Sequence, residues 1–303
     1  MNYTIHQLQI FLKVVQTKSI TKASEELFMT QPAVSIQLKN LQDQFDIPLT
    51  EVIGRQLYIT DFGKEIAIIA ERVIQELENI NYKTQAFQGI LTGKLSISAA
   101  STGKYVIPYF LSGFLEKNTG IDLVLDVTNK SKVVESLKNN EIDFALVSVV
   151  PEKLAIEEEL LIENKLYLVG NQATRNEKKP LIYREEGSAT RLAMEKYFEE
   201  HQGKQRKRME LTSNEAVKQA VIAGLGYSIM PLIGIHNELI NKELFILESQ
   251  DLPIKTEWRL IWLKGKKLSP VGQAYLEFIR SEKEKILNNN FNWYFEVLKG
   301  ESL

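Results

Sequence analysis

At 303 residues the chain is too long for one ordinary core, so two or three domains are expected. Its hydrophobic fraction of 44% and charged fraction of 25% are those of a soluble globular protein, and apolar runs such as Leu160–Ile162 and Ile261–Leu263 are far too short to cross a bilayer. The net charge of −2 speaks against a nucleic-acid binder, and the absence of cysteine excludes a disulfide framework, a thiolate metal site and a thiol redox switch. The opening Met1-Asn2-Tyr3-Thr4-Ile5-His6 has no charged region followed by an apolar stretch, so no secretion signal is read and the cytoplasm is expected.

Ile5, Leu8, Phe11, Leu12 and Val15 fall at three- and four-residue steps, which predicts an amphipathic helix over residues 5–16. Ser19 or Thr21 suits the cap of a second helix, from about Lys22 to Phe28, with Ala23 and Leu27 inward. Thr30 caps a third helix that ends near Gln44, with Val34, Leu38 and Leu41 on its buried stripe. Pro32 sits in its first turn, where a missing amide hydrogen costs nothing. Short β-prone pieces around Val52-Ile53 and Leu57–Thr60 flank Gly54-Arg55 and predict a two-stranded wing. From Asp61 to about Gln88 there is no proline, and Ile66, Ile69, Val73, Leu77, Ile80, Thr84 and Phe87 recur at steps of three and four. So long and narrow a seam on a charged helix predicts dimerisation through Ile66, Ile69, Val73, Leu77 and Ile80; packing on its own domain is the plainer alternative.

After Gly89 and Gly93 strands and helices alternate. Strands are predicted at Lys94–Ala99, Asp122–Val127, Asp143–Val149, Lys165–Val169, Leu181–Tyr183, Met209–Leu211, Tyr227–Met230 and Trp258–Trp262. Helices are predicted at Val106–Lys117, Lys132–Asn139, Ala189–Glu199, Glu215–Ala223 and Pro270–Lys285. Such alternation implies mostly parallel sheets covered by helices, here as two α/β lobes joined by two crossovers, with the last helix returning to the first lobe. The domains read as 1–60, 61–89 and 90–303, with a first lobe of about 90–164 and 265–303 and a second of about 165–264. The tail, with Phe291, Trp293, Tyr294, Phe295, Val297 and Leu298, has an aromatic cluster suited to docking on a neighbouring surface.

A DNA-reading helix needs short polar side chains at its N-terminal end, where base edges and phosphates come within reach. Thr30, Gln31, Ser35, Gln37 and Lys39 supply that face, beside Pro32; Thr21 and Arg55 complete the candidate DNA contacts. Polar residues alone describe any solvated helix face. The order of parts is what favours DNA: a short helix, a tight turn, a polar-faced helix, a wing, then a long helix. Residues 1–60 carry Lys13, Lys18, Lys22, Lys39 and Arg55 against Glu25, Glu26, Asp43, Asp46 and Glu51, so one copy binds phosphates weakly and two or more are needed.

Ala23-Ser24-Glu25-Glu26-Leu27 followed by Thr30-Gln31-Pro32-Ala33-Val34-Ser35 resembles the signature of the LysR-type transcriptional regulators, and the resemblance covers essentially the whole chain. It implies a winged helix-turn-helix, a linker helix that forms dimers, and an effector domain with the two-lobed α/β periplasmic-binding-protein fold. It further implies tetramers on operator DNA, a small-molecule effector and RNA polymerase as a partner. Three positions depart from the family pattern: Ile36 stands where arginine is common, Thr50 where an aromatic anchors the wing, and Val52 where arginine meets phosphate. Ser101-Thr102-Gly103-Lys104-Tyr105 and Val34-Ser35-Ile36-Gln37 are similar to the subgroup that regulates carbon-fixation operons, which implies a phosphorylated or carboxylated effector.

Ser98, Ser101 and Thr102 follow the first strand of the first lobe, where hydroxyls and free amides at a helix N-terminus favour an anion. Ser148 closes another strand at the same edge, and in α/β sheets ligands gather at the carboxyl ends of strands. Gly187-Ser188-Ala189-Thr190-Arg191 opens a helix of the second lobe, and Asn214 is read as the cap of another. Ser101, Thr102, Ser148, Ser188, Thr190 and Asn214 are thus the candidate effector residues, with simple helix capping the alternative for each. An enzyme is not expected: His6, His201 and His236 are far apart, and Gly224-Leu225-Gly226 is too short for a dinucleotide loop. The basic run Lys204, Arg206, Lys207 and Arg208 reads as a solvated turn. No cofactor or metal is expected. A helix-turn-helix protein with a degenerate, ligand-free second domain is the competing reading.

Overall fold

The Thr4 hydroxyl accepts from the Gln7 amide while the Gln7 side chain accepts from the Thr4 amide, a reciprocal cap that starts α1 (Ile5–Thr17). The computed structural model describes residues 3–54, 56–86, 91–176, 178–201 and 206–296. Its chain divides into two units, Met1–Gly89 and Ile90–Leu303.

In the first unit α1 is followed by α2 (Ile20–Glu26), capped by Ser19, and α3 (Gln31–Gln42), capped by Thr30 with Pro32 in the first turn. A two-stranded antiparallel wing follows, β1 (Thr50–Ile53) and β2 (Gln56–Ile59), then α4 (Asp61–Ala86). Phe11, Val14, Ala23, Val34, Leu38, Leu41 and Leu49 close one core, which Ala67 and Ala70 of α4 complete. Gly63 lets α4 approach β1, for a Cβ there would lie 2.1 Å from the Leu49 carbonyl oxygen.

The second unit begins with β3 (Thr92–Ala100), α5 (Ile107–Lys117), β4 (Gly120–Thr128), α6 (Lys130–Lys138) and β5 (Phe144–Val147). It continues through β6 (Ile156–Gly170), β7 (Leu181–Arg184), α7 (Ala189–Glu200), β8 (Arg208–Leu211), α8 (Asn214–Ile222) and β9 (Ser228–Pro231). The last elements are α9 (His236–Ile240), β10 (Phe245–Ile246), β11 (Ile254–Leu263), α10 (Pro270–Asn290) and α11 (Asn292–Glu296). β3 lies between β4 and β5, parallel to both, and forms the first lobe with α5, α6 and α10; β7 and β8 pair in parallel in the second lobe.

The expectation of mostly parallel sheets is corrected here. The main sheet runs β10-β6-β11-β5-β3-β4 with β9 also on β6, and every pairing made by β6 and β11 is antiparallel. The chain leaves the first lobe along β6 and comes back along β11, so the two crossovers are one long antiparallel ribbon. β6 is far longer than the segment predicted at Lys165–Val169, because the run of three carboxylates Glu157, Glu158 and Glu159 masks its first half as a strand.

The aromatic tail packs on its own unit. Phe291 meets Tyr109 of α5 edge-on at 5.2 Å, Trp293 stacks on His236 at 3.6 Å, and the buried Tyr294 hydroxyl accepts the Lys165 amide hydrogen at 2.8 Å. Val297 and Leu298 lie outside the described residues, as do Phe87 and Lys204.

Candidate functional site

In the first unit α3 turns Val34, Leu38 and Leu41 into the core, which leaves Gln31, Pro32 and Lys39 exposed and Ser35 and Gln37 half-buried. Thr30 is engaged as the cap, its hydroxyl accepting from the Ala33 amide, and Thr21 is exposed on α2. Arg55 lies outside the described residues. Lys13 is tied to Glu26 at 2.9 Å, which takes one of the few cations of this unit out of play. Thr50 explains its own departure from the aromatic pattern: its hydroxyl and amide both donate to Oε1 of Gln42, at 2.9 and 3.2 Å, and so pin the wing to α3.

On α4, Ile69, Val73 and Ile80 are exposed and Leu77 is half-buried. Ile66 differs from its expected neighbours in the seam. It packs against the core of the helix-turn-helix, because it sits one turn after Phe62 on the face that carries Ala67 and Ala70.

In the second unit the loops after β3, β4 and β7 converge. Ser101 donates to the Thr128 carbonyl at 2.9 Å and accepts from Nη2 of Arg184 at 3.3 Å, a bond between the first lobe and the second. Arg184, only 4% exposed, ends β7 and is held by a bidentate pair with Glu185 at 2.7 and 2.8 Å. Its Nη1 carries no bond to the protein among the described residues. Gly187, at φ +85°, brings the second lobe so near that a Cβ would stand 2.7 Å from the Ser131 hydroxyl. Ser188 is buried and caps α7, with Thr190 half-buried in the first turn.

Thr102 is buried and its hydroxyl makes no hydrogen bond among the described residues. The start of α8 faces the Lys104–Tyr105 turn. Burial works to raise the Glu215 carboxyl, yet bonds from Gln219 and Lys218 and the charges of Lys218 and Lys104 hold it below its ordinary value. Burial likewise works to lower Lys218, but Glu238 at 2.6 Å, the nearby Tyr105 and Glu215 keep it above its ordinary value.

Two of the expected effector residues have settings that differ from the expectation in part. Asn214 is not a cap, because the Ser213 hydroxyl accepts from the Ala216 amide and does that work. Asn214 is the first residue inside α8, 6% exposed, and its Nδ2 has no partner among the described residues. Ser148 stands at the expected edge, since β5 runs parallel to β3 in a register that sets it level with Ser101. It also lines an open groove of about 730 Å³ with Leu160, Lys255, Arg259, Lys283 and Phe295, because β11 is the other neighbour of β5. Arg184 escaped the sequence reading. Its only signal is a cation closing the strand Leu181-Ile182-Tyr183-Arg184, and the two glutamates that follow cancel it in any charge count.

Residues 5–64 match the bacterial regulatory helix-turn-helix protein, lysR family, and residues 88–284 match the LysR substrate binding domain. The chain is 36% identical over 296 residues to the HTH-type transcriptional activator CmpR of Synechocystis sp., covering 94% of this chain and 97% of that one. It is also 36% identical over 297 residues to the RuBisCO operon transcriptional regulator of Allochromatium vinosum, covering 94% and 98%. The solved regulatory domain of Synechocystis PCC6803 CcmR in complex with 2-PG is similar at 33% identity and a TM-score of 0.59, covering 66% of this chain and 99% of that domain. With the helix-turn-helix and most of the two-lobed unit both matched, the chain belongs to the LysR family of bacterial transcription regulators.

Proposed function

We propose that this regulator controls a carbon-fixation operon and answers to a small dianionic metabolite, of the phosphorylated carboxylic acid class, bound between its two lobes. The observation that carries the reading is a set of donors around the cleft without acceptors of their own: Nη1 of Arg184, the Thr102 hydroxyl and the Asn214 amide. A buried donor in that state, as Nδ2 of Asn214 is, costs about 1–3 kcal/mol, and an anion that accepts from it removes the cost. The amides of Ala189 and Thr190 at the start of α7 add further donors aligned with the helix dipole. The similarity to a RuBisCO operon regulator and to a domain that holds 2-PG supports the same ligand class.

The remaining parts of the reading follow from the first unit. Gln31, Ser35, Gln37 and Lys39 of α3 contact operator DNA, and Ile69, Val73, Leu77 and Ile80 of α4 form the seam of a dimer that assembles further to a tetramer. The protein works in the cytoplasm as a regulator rather than an enzyme, with RNA polymerase as its partner at activated promoters. Among the described residues no helix is long and apolar enough to cross a membrane.

Calorimetry on the full chain with 2-phosphoglycolate, glycolate and inorganic phosphate tests the cleft. The first ligand is expected to bind tightest, with Arg184→Gln weakening it by about tenfold or more. Unchanged affinity in Arg184→Gln overturns the cleft assignment.

A further inference from the structure

The outward face of the DNA-reading helix is apolar at its centre. With about 100° of turn per residue, the direction opposite Val34, Leu38 and Leu41 on α3 belongs to Pro32, Ile36 and Lys39. Ile36 is 57% exposed and Pro32 is exposed, one turn apart, while Ser35 and Asn40 flank them. A branched alkyl side chain presented to water at the middle of such a face gains little in the free protein, since more than half of its surface stays in solvent there. Nor does the unit hold DNA by charge alone, for residues 1–60 balance five cations with five carboxylates and Lys13 is paired with Glu26.

Duplex DNA offers an apolar group in the major groove, the C5-methyl of thymine, and apolar side chains read it by contact. The first turns of a recognition helix are the part that reaches base edges, and Ile36 lies in the second turn after the Thr30 cap. We propose that Ile36, with Pro32 beside it, reads thymine methyl groups in each half-site and so sets a preference for A·T pairs under the centre of α3. This rests on α3 as the DNA-contacting helix. Gln31, Ser35 and Lys39 supply hydrogen bonds and charge at the margins of that contact.

The test begins with duplexes enriched from a random pool by the full-length protein. Each thymine is then replaced in turn by deoxyuridine, which removes the methyl and leaves the pairing intact. Wild type is expected to lose about fourfold in affinity at one or two symmetry-related positions, the factor for one buried methyl. Ile36→Ala is expected to bind thymine and deoxyuridine duplexes alike at those positions, with its circular dichroism unchanged, and Ile36→Arg to exchange thymine for guanine there. An undiminished thymine-to-deoxyuridine ratio in Ile36→Ala overturns the proposal. So does indifference of the wild type to deoxyuridine everywhere, which leaves α3 as the reading helix. A change in sedimenting mass in Ile36→Ala with the ratio preserved assigns the face to a protein contact instead. Failure of the full chain to enrich any sequence defeats the DNA reading itself, and this proposal with it.

Discussion

Asn214 and Thr102 are both buried side chains with a donor left over, and each is expected to reveal a trade between stability and binding. Replacing Asn214 by Leu removes an unpaired buried amide, so the ligand-free protein is expected to melt higher by a few degrees, in line with about 1 kcal/mol. The same change should weaken an anionic ligand, and thermal melts beside calorimetry check both signs. A structural Asn214 would instead lose stability. Thr102→Ala is expected to lower ligand affinity by roughly tenfold to a hundredfold, the range for a hydrogen bond to a charged group, while operator binding in gel shifts without ligand stays intact. His201 gives a pH prediction of its own. Bonds from its ring to Asp251 at 2.9 Å and to the Tyr197 carbonyl at 2.8 Å raise it above its ordinary value of 6.5. Because the folded value is the higher one, its contribution is complete below the ordinary value and is lost as pH rises through the raised one. The difference in melting temperature between wild type and His201→Gln should therefore shrink as pH is raised above about 6.5. A difference that grows with pH contradicts the assignment.

Between elements, α4 comes close to the segment entering β1 at Gly63. A methyl there cannot be accommodated 2.1 Å from the Leu49 oxygen without moving backbone, so Gly63→Ala is expected to destabilise the unit by about 1–3 kcal/mol. Chemical denaturation followed by far-ultraviolet circular dichroism measures it. Further along α4, Val73 is exposed in this chain, so a charge there is harmless to a monomer. Val73→Asp is expected to halve the mass seen by light scattering while helix content persists, since an unpaired carboxylate buried at a dimer seam costs several kcal/mol. Unmutated protein that scatters as a monomer would rule the seam out.

Across the whole second unit, the return of the chain is what completes the core. The first lobe is built from β3, β4 and β5, yet its largest buried cluster also needs Trp258 of β11, Tyr275 and Ile279 of α10, and Phe291 and Tyr294 beyond it. Tyr294→Phe keeps the ring but strands the Lys165 amide hydrogen inside β6. That change is expected to cost about 1–3 kcal/mol in urea unfolding. A cost near zero would mean that the tail is a surface ornament.

The helix-turn-helix was legible from sequence because its signals are local: apolar steps of three and four, a Thr30 cap and Pro32 in the first turn act within a few residues of one another. The wing, the long helix and the alternating strands were legible for the same reason. Tertiary structure alone decided the rest. Arg184 reaches Ser101 across 83 positions of chain, and Tyr294 meets Lys165 across 129. Whether β6 and β11 run antiparallel depends on how the second lobe returns the chain, and whether the Asn214 amide finds a partner depends on what surrounds it once folded. Periodicity tells which face of an element is buried; only the assembled lobes tell which buried donors lack an acceptor.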